Sequence, residues 1–145
     1  MNSLEDMDYR LELAEGFLKE AEEDYKSGRY RSCVDNSQIS IENSAKAILA
    51  YFGPLAKTHN PSEDLTRLIS EGQIAEPLKE KIKKLSLLAG QYGMKEHFLT
   101  DYGDEIKRIS PWKLFSKADA KKANATALSS LEIAKEIRKF LLAKK

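Results

Sequence analysis

Apolar residues recur at helical spacing through most of this chain, and no useful length alternates apolar and polar as a strand would. Over 4–27 the positions Met7, Leu11, Ala14, Leu18, Ala21 and Tyr25 are spaced alternately four and three apart, as in a helix lying along a neighbour. Ser27-Gly28 ends that helix. The break before Tyr30 is so short that the next helix folds back antiparallel on the first, making a helical hairpin. This second helix, over 29–53, carries one apolar stripe of Val34, Ile41, Ala45, Ile48 and Phe52, with Ser37 filling a gap. Gln38, Glu42 and Lys46 follow at four-residue spacing along the stripe's margin, where Glu42 and Lys46 are placed to pair.

After Gly53-Pro54 the pattern predicts a loop, then a short helix opened by Asn60 as N-cap, Pro61 at the first position and Glu63 at the third, ending at Gly72. The next helix, over 76–91, turns Leu78, Ile82, Leu85 and Leu88/Ala89 inward and its lysines outward. Beyond Gly90 two glycines interrupt the periodicity of Tyr92, Met94, Phe98 and Leu99, so the helix bends or restarts. The stretch 102–115, with Gly103, Pro111 and Trp112, reads as a surface connection. A last helix starts with Ser116 as N-cap and Asp119 three residues on, and runs through Ala120, Ala123, Ala127, Leu131, Ala134, Ile137 and Leu141. Its small residues allow another helix backbone to come close. The expected architecture is all-α: one domain over 1–145, an antiparallel four-helix up-and-down bundle with one additional short helix.

Composition supports this picture and narrows the chemistry. A chain of 145 residues with 41% hydrophobic and 32% charged positions can build a real core under a highly charged surface. Its net charge of +1 gives no global pull toward nucleic acid or an anionic membrane. The lysines at 79, 81, 83 and 84 and at 117, 121 and 122 read as solvated helix faces. No apolar run approaches the ~20 residues of a membrane span, and the acidic N-terminus lacks a signal peptide's basic start, so a cytoplasmic location is expected. The single cysteine, Cys33, forms no internal disulfide and reads as a small packing residue; with two histidines there is no clustered zinc-ligand spacing. No Gly-rich phosphate loop, nucleophile elbow, dinucleotide fingerprint or DNA-binding motif is present, and no cofactor is expected.

The succession Gln38-x-x-x-Glu42-x-x-x-Lys46-Ala47-Ile48-Leu49, then a glycine, then Thr58-His59 and Asp64-Leu65-x-x-Leu68 resembles the HEPN family, the higher eukaryotes and prokaryotes nucleotide-binding domain. Downstream, Tyr102-Gly103-Asp104, Pro111 and Phe115-Ser116-x-Ala118-Asp119-Ala120 are similar to that family's passage into its long last helix. Ribonuclease members of the family carry an arginine a few residues before a histidine; the imidazole moves protons on the ribose 2′-hydroxyl while the guanidinium steadies charge on phosphorus. No such pair precedes His59 or His97 here, and Asp101 stands where related sequences often place an arginine before Tyr-Gly-Asp. His59 reads either as a cap on the short helix or as a ligand contact, and His97 as an incidental polar residue near a helix end.

The resemblance therefore implies a non-catalytic interaction module, dimeric, acting with a minimal nucleotidyltransferase in a toxin–antitoxin-like pair. The hairpin and the alanine-rich last helix are its candidate dimer faces. The alternative is a divergent metal-independent ribonuclease or nucleotide-binding protein, its site formed at a dimer cleft from Glu42, Lys46, His59, Tyr102 and Arg108.

Overall fold

The computed structural model describes residues 3–53, 60–72 and 74–143. The loop residues Lys57, Thr58 and His59 lie outside them. Among the described residues there are seven helices: α1 (Ser3–Lys26), α2 (Tyr30–Phe52), α3 (Pro61–Glu71), α4 (Glu76–Gly90), α5 (Met94–Tyr102), α6 (Pro111–Leu114) and α7 (Lys117–Ala143). The molecule is all-α, as expected, but it has two more helices than the pattern predicted. Both additions fall after Gly90, where glycine and proline break the local periodicity and packing against α2 decides the conformation instead.

α2 is the centre of the fold and touches each of the other six helices. Its apolar residues Val34, Ile41, Ala45 and Ile48 are buried, together with Ser37, Ser40 and Ser44. α1 packs along α2 through Met7, Leu11, Ala14, Leu18 and Ala21, the residues its spacing indicated. The approach is close enough for the Ser40 hydroxyl to donate to the Ala14 carbonyl at 2.7 Å. α7 lies against α1 and α2 at once. Arg138 grips Asp8 with two nitrogens at 2.6 and 3.1 Å, and Lys135 reaches Glu15 at 3.8 Å, so α1 and α7 run antiparallel. Across from α1, Lys81 of α4 meets Glu136 of α7 at 2.7 Å.

The small residues of α7 are spent inside the chain. Ala120, Ala123, Ala127 and Ala134 are fully buried, and the Ala120 carbonyl lies 3.6 Å from the Cys33 thiol on α2. The alanine stripe brings α7 onto α2, so these four alanines are not open to a second copy. Cys33 is fully buried, as a packing residue should be, and burial pushes its thiol above the usual range.

The link between α1 and α2 is pinned by a buried carboxylate. Asp24, 6% exposed, accepts hydrogen bonds from Ser32 and Asn36, both at 2.8 Å, and from Arg29 at 2.9 Å. Burial pushes its carboxyl upward, but the Ser32, Asn36 and Arg29 hydrogen bonds together outweigh that and hold it below its ordinary value. Heptad counting favours Tyr25 for the core at this turn. The aspartate takes the deeper place because three side-chain donors, Arg29, Ser32 and Asn36, converge on its carboxylate.

The helix starts follow their sequence signals. Asn60 accepts from the amides of Ser62 and Glu63 at 3.0 and 3.4 Å, and Ser116 and Asp119 bond reciprocally to cap α7. Between α5 and α6, Asp104 and Ile109 form an antiparallel bridge, with Asp104 also accepting from the Lys107 amide. Gly103 makes this hairpin possible: its φ is +72°, and a Cβ there would run into the Ile109 carbonyl oxygen. Gly103→Ala is expected to open the hairpin locally, with amide exchange at Asp104 and Ile109 rising about tenfold or more while α2 amides keep their protection. Equal acceleration in α2 would mean that the hairpin is coupled to the whole fold.

Candidate functional site

A cleft of about 470 Å³ opens where α2 meets the start of α3, the end of α4 and the turn into α5. Ile41, Pro61 and Ala89 supply apolar wall, and Tyr92 closes one end. Its polar lining includes Gln38, Glu42, Asn60, Glu63 and His97. α3 is held in place over this opening by a small hydroxyl cluster. Ser62 and Ser86 each donate to the other's carbonyl at 2.8 Å, and Thr66 lies 3.1 Å from the Ser86 hydroxyl. A smaller cleft of about 250 Å³ lies on the other side of Gln38 and Tyr92, toward α6 and α7.

Of the residues singled out from sequence, Glu42 and Lys46 pair on α2 at 3.4 Å, as their spacing indicated, and Glu42 borders the main cleft. Both are well exposed, so the pair contributes about 0.5 kcal/mol or less to the helix. Tyr102 and Arg108 are not among the residues lining either cleft. Tyr102 is 61% exposed at the end of α5, its ring 6.3 Å from that of Phe98, and Arg108 sits in the hairpin turn with a φ of 57°. Within one chain, the four candidates among the described residues do not share a cleft, and His59 lies outside the described residues.

The structure brings together a different set. His97 is not incidental: its Nδ1 lies 3.8 Å from Asp35 on α2 and its Nε2 3.4 Å from Asp101. Thr100, fully buried, donates to the His97 carbonyl at 2.7 Å and lies 3.3 Å from the same Asp35 oxygen. Arg31 reaches the other Asp35 oxygen at 3.8 Å. An arginine and a histidine thus meet through a shared carboxylate, although they are far apart in sequence. Only the i,i+4 spacing of His97 with Asp101 and of Arg31 with Asp35 was visible beforehand.

Gln38 is the other unanticipated feature. It is 6% exposed, and neither its Nε2 nor its Oε1 has a hydrogen-bond partner among the described residues. Leaving a buried amide unpaired costs about 1–3 kcal/mol per polar group. Charge around the main cleft is predominantly negative: Glu42 and Glu63 line it, Asp35 and Asp101 flank its histidine, and among the described residues no lysine or arginine lines it. The lysines of α4 face elsewhere, Lys79 and Lys83 toward Glu76 and Glu80 on their own helix and Lys81 toward Glu136.

Large apolar side chains left exposed concentrate on one segment. Phe98, Tyr102, Ile106 and Trp112, exposed by 53 to 96%, all lie within the fifteen residues that run from the second half of α5 through the hairpin to the start of α6. Acidic Asp101, Asp104 and Glu105 and basic Lys107, Arg108 and Lys113 are interspersed with them. Among the described residues no helix is long and apolar enough to cross a membrane.

Comparison with known proteins agrees with this architecture. The candidate toxin MJ1304 of Methanocaldococcus jannaschii is 28% identical over 148 aligned residues, covering 94% of this chain and 95% of that relative. The HEPN domain family model matches residues 7–144, which takes in all the long helices except the first four residues of α1. The chain belongs to the HEPN domain family.

Proposed function

We propose that this chain is a non-catalytic HEPN interaction module that pairs with a second copy of itself and works with a small nucleotidyltransferase as one half of a toxin–antitoxin-like pair. The observation that carries this reading is the exposed apolar segment of Phe98, Tyr102, Ile106 and Trp112, on α5, α6 and the hairpin between them that Gly103 permits. Acidic and basic side chains share that segment, so its self-association is not opposed by a single-sign field. The long helices α1, α2, α4 and α7 are read as the up-and-down bundle that presents it. The likeness to a candidate toxin supports a protein partner.

The experiment is to mix the purified chain with small nucleotidyltransferases from the same source and follow any complex by light scattering. A stable complex of the dimer with one of these nucleotidyltransferases is the expected result, and Ile106→Glu with Trp112→Glu should weaken the self-association tenfold or more, about 1.4 kcal/mol. No association at micromolar concentration with any of those nucleotidyltransferases would overturn the partnership.

A second reading, a divergent metal-independent ribonuclease, is favoured by one observation: His97 stands between Asp35 and Asp101 with Arg31 behind Asp35. On the module reading, RNA incubated with the protein in chelator stays intact. Cleavage lost in His97→Ala would establish the ribonuclease.

A further inference from the structure

We propose, on the basis of the self-association read above, that the smaller cleft beside α6 is the socket for Trp112 of a second copy of this chain. The incoming indole N–H donates to the Gln38 carboxamide.

Gln38 is 6% exposed, and its amide has no hydrogen-bond partner among the described residues. A methionine would fill that place on α2 without the penalty, so the amide signals a polar group that arrives from outside the chain. Gln38 lies in the wall shared by the two clefts. The smaller one, at about 250 Å³, falls below the roughly 300–1,000 Å³ of small-molecule sites, and its size suits one large side chain. Val34, Leu99, Leu114 and Phe115 make it largely apolar. Three of these, Leu99, Leu114 and Phe115, come from the two ends of the stretch that presents the exposed apolar residues, so socket and contact segment are continuous.

Of the exposed residues, Trp112 meets both requirements of the socket, a large apolar body and a donor. Phe98 and Ile106 have no polar side-chain atom, and the Tyr102 ring is already set against Phe98 at 6.3 Å. Trp112 is 76% exposed in the single chain. A buried indole calls for an acceptor, and Gln38 Oε1 supplies it while Nε2 is left to water in the wider cleft. Lys122, also in the socket lining, adds a cation for the ring face, and tryptophan is the best aromatic partner for one. In a two-fold dimer the insertion is reciprocal, each chain giving one tryptophan and receiving one.

Trp112 is the chain's one tryptophan, so its fluorescence reports the insertion without a label. Emission and iodide quenching are followed on the full chain from about 10 nM to 100 μM, with sedimentation equilibrium on the same samples. Emission should move to shorter wavelength, and quenching fall about threefold or more, in step with the dimer fraction. Gln38→Met should raise the dimer dissociation constant about tenfold or more while the melting temperature holds or rises. Trp112→Phe should weaken the wild-type dimer to the same extent but cost about threefold or less in the Gln38→Met background, where the bond is already gone. A dimer whose tryptophan keeps solvent-exposed emission, or fully additive losses in the double variant, would overturn the insertion and leave self-association standing. Short-wavelength emission from the monomer would place Trp112 in its own chain's socket and overturn it too. A monomer at every concentration would overturn both.

Discussion

Ile48→Ala is expected to cost about 3–4 kcal/mol of folding stability, within the range for emptying a fully buried aliphatic site. Ile48 is 0% exposed at the centre of the main apolar cluster, on the helix that every other helix touches. Truncation removes three carbons from contact on several sides, and helices already held by α2 cannot all move to fill the space. The measurement is urea unfolding followed by far-ultraviolet circular dichroism, in which the midpoint falls and the slope stays the same. Ile48→Val should cost about 1 kcal/mol. Leu87→Ala provides the contrast: Leu87 is 72% exposed on α4, and its truncation should change stability by about 0.5 kcal/mol or less. Similar losses for Ile48→Ala and Leu87→Ala would show that α2 is not the core.

Asp24→Ala should cost about 2–3 kcal/mol, because it removes the acceptor shared by Ser32, Asn36 and Arg29 at the α1–α2 turn. Most of this comes from the Ser32 and Asn36 hydrogen bonds to a buried, charged acceptor. Arg29 is 57% exposed, and solvent screens its share. The pH dependence has a definite sign. The folded Asp24 carboxyl titrates below its unfolded value, so its contribution is complete above the unfolded pKa and is lost as pH falls through the folded one. The stability gap between wild type and Asp24→Asn should therefore be constant from about pH 7 to 5 and shrink below about pH 4. Unfolding midpoints at several pH values check this. A gap that widens with acid would mean that Asp24 is protonated in the native protein.

Local signals identified α1, α2, α3, α4 and α7, because each of these helices has either a long apolar period or a proline or capping residue at its start. What sequence could not convey was depth. Asp24 lies one position from Tyr25, and a charged residue in an acidic stretch reads as surface until three donors are seen converging on it. Gln38 falls at a stripe margin, where spacing alone does not separate a wet amide from one 94% buried. His97 and Asp35 acquire meaning only when α5 crosses α2, since no local period links residues so far apart. Glycine and proline marked 102–115 as a surface connection, yet α6 forms within it, and the bridge between Asp104 and Ile109 depends on Gly103 adopting a left-handed backbone that the letter permits but does not specify. The alanines of α7 did announce a close approach. Only the fold shows that the partner is α2 of the same chain.

The central claim, that the segment from Phe98 to Trp112 is a contact surface and not a solvated connection, is tested most directly by sedimentation equilibrium of the intact chain. The account expects a species of twice 16.4 kDa at micromolar concentration, converted to the 16.4 kDa monomer by Ile106→Glu with Trp112→Glu while helical content is unchanged. A monomer of 16.4 kDa up to about 100 μM, or a dimer indifferent to both substitutions, would contradict it.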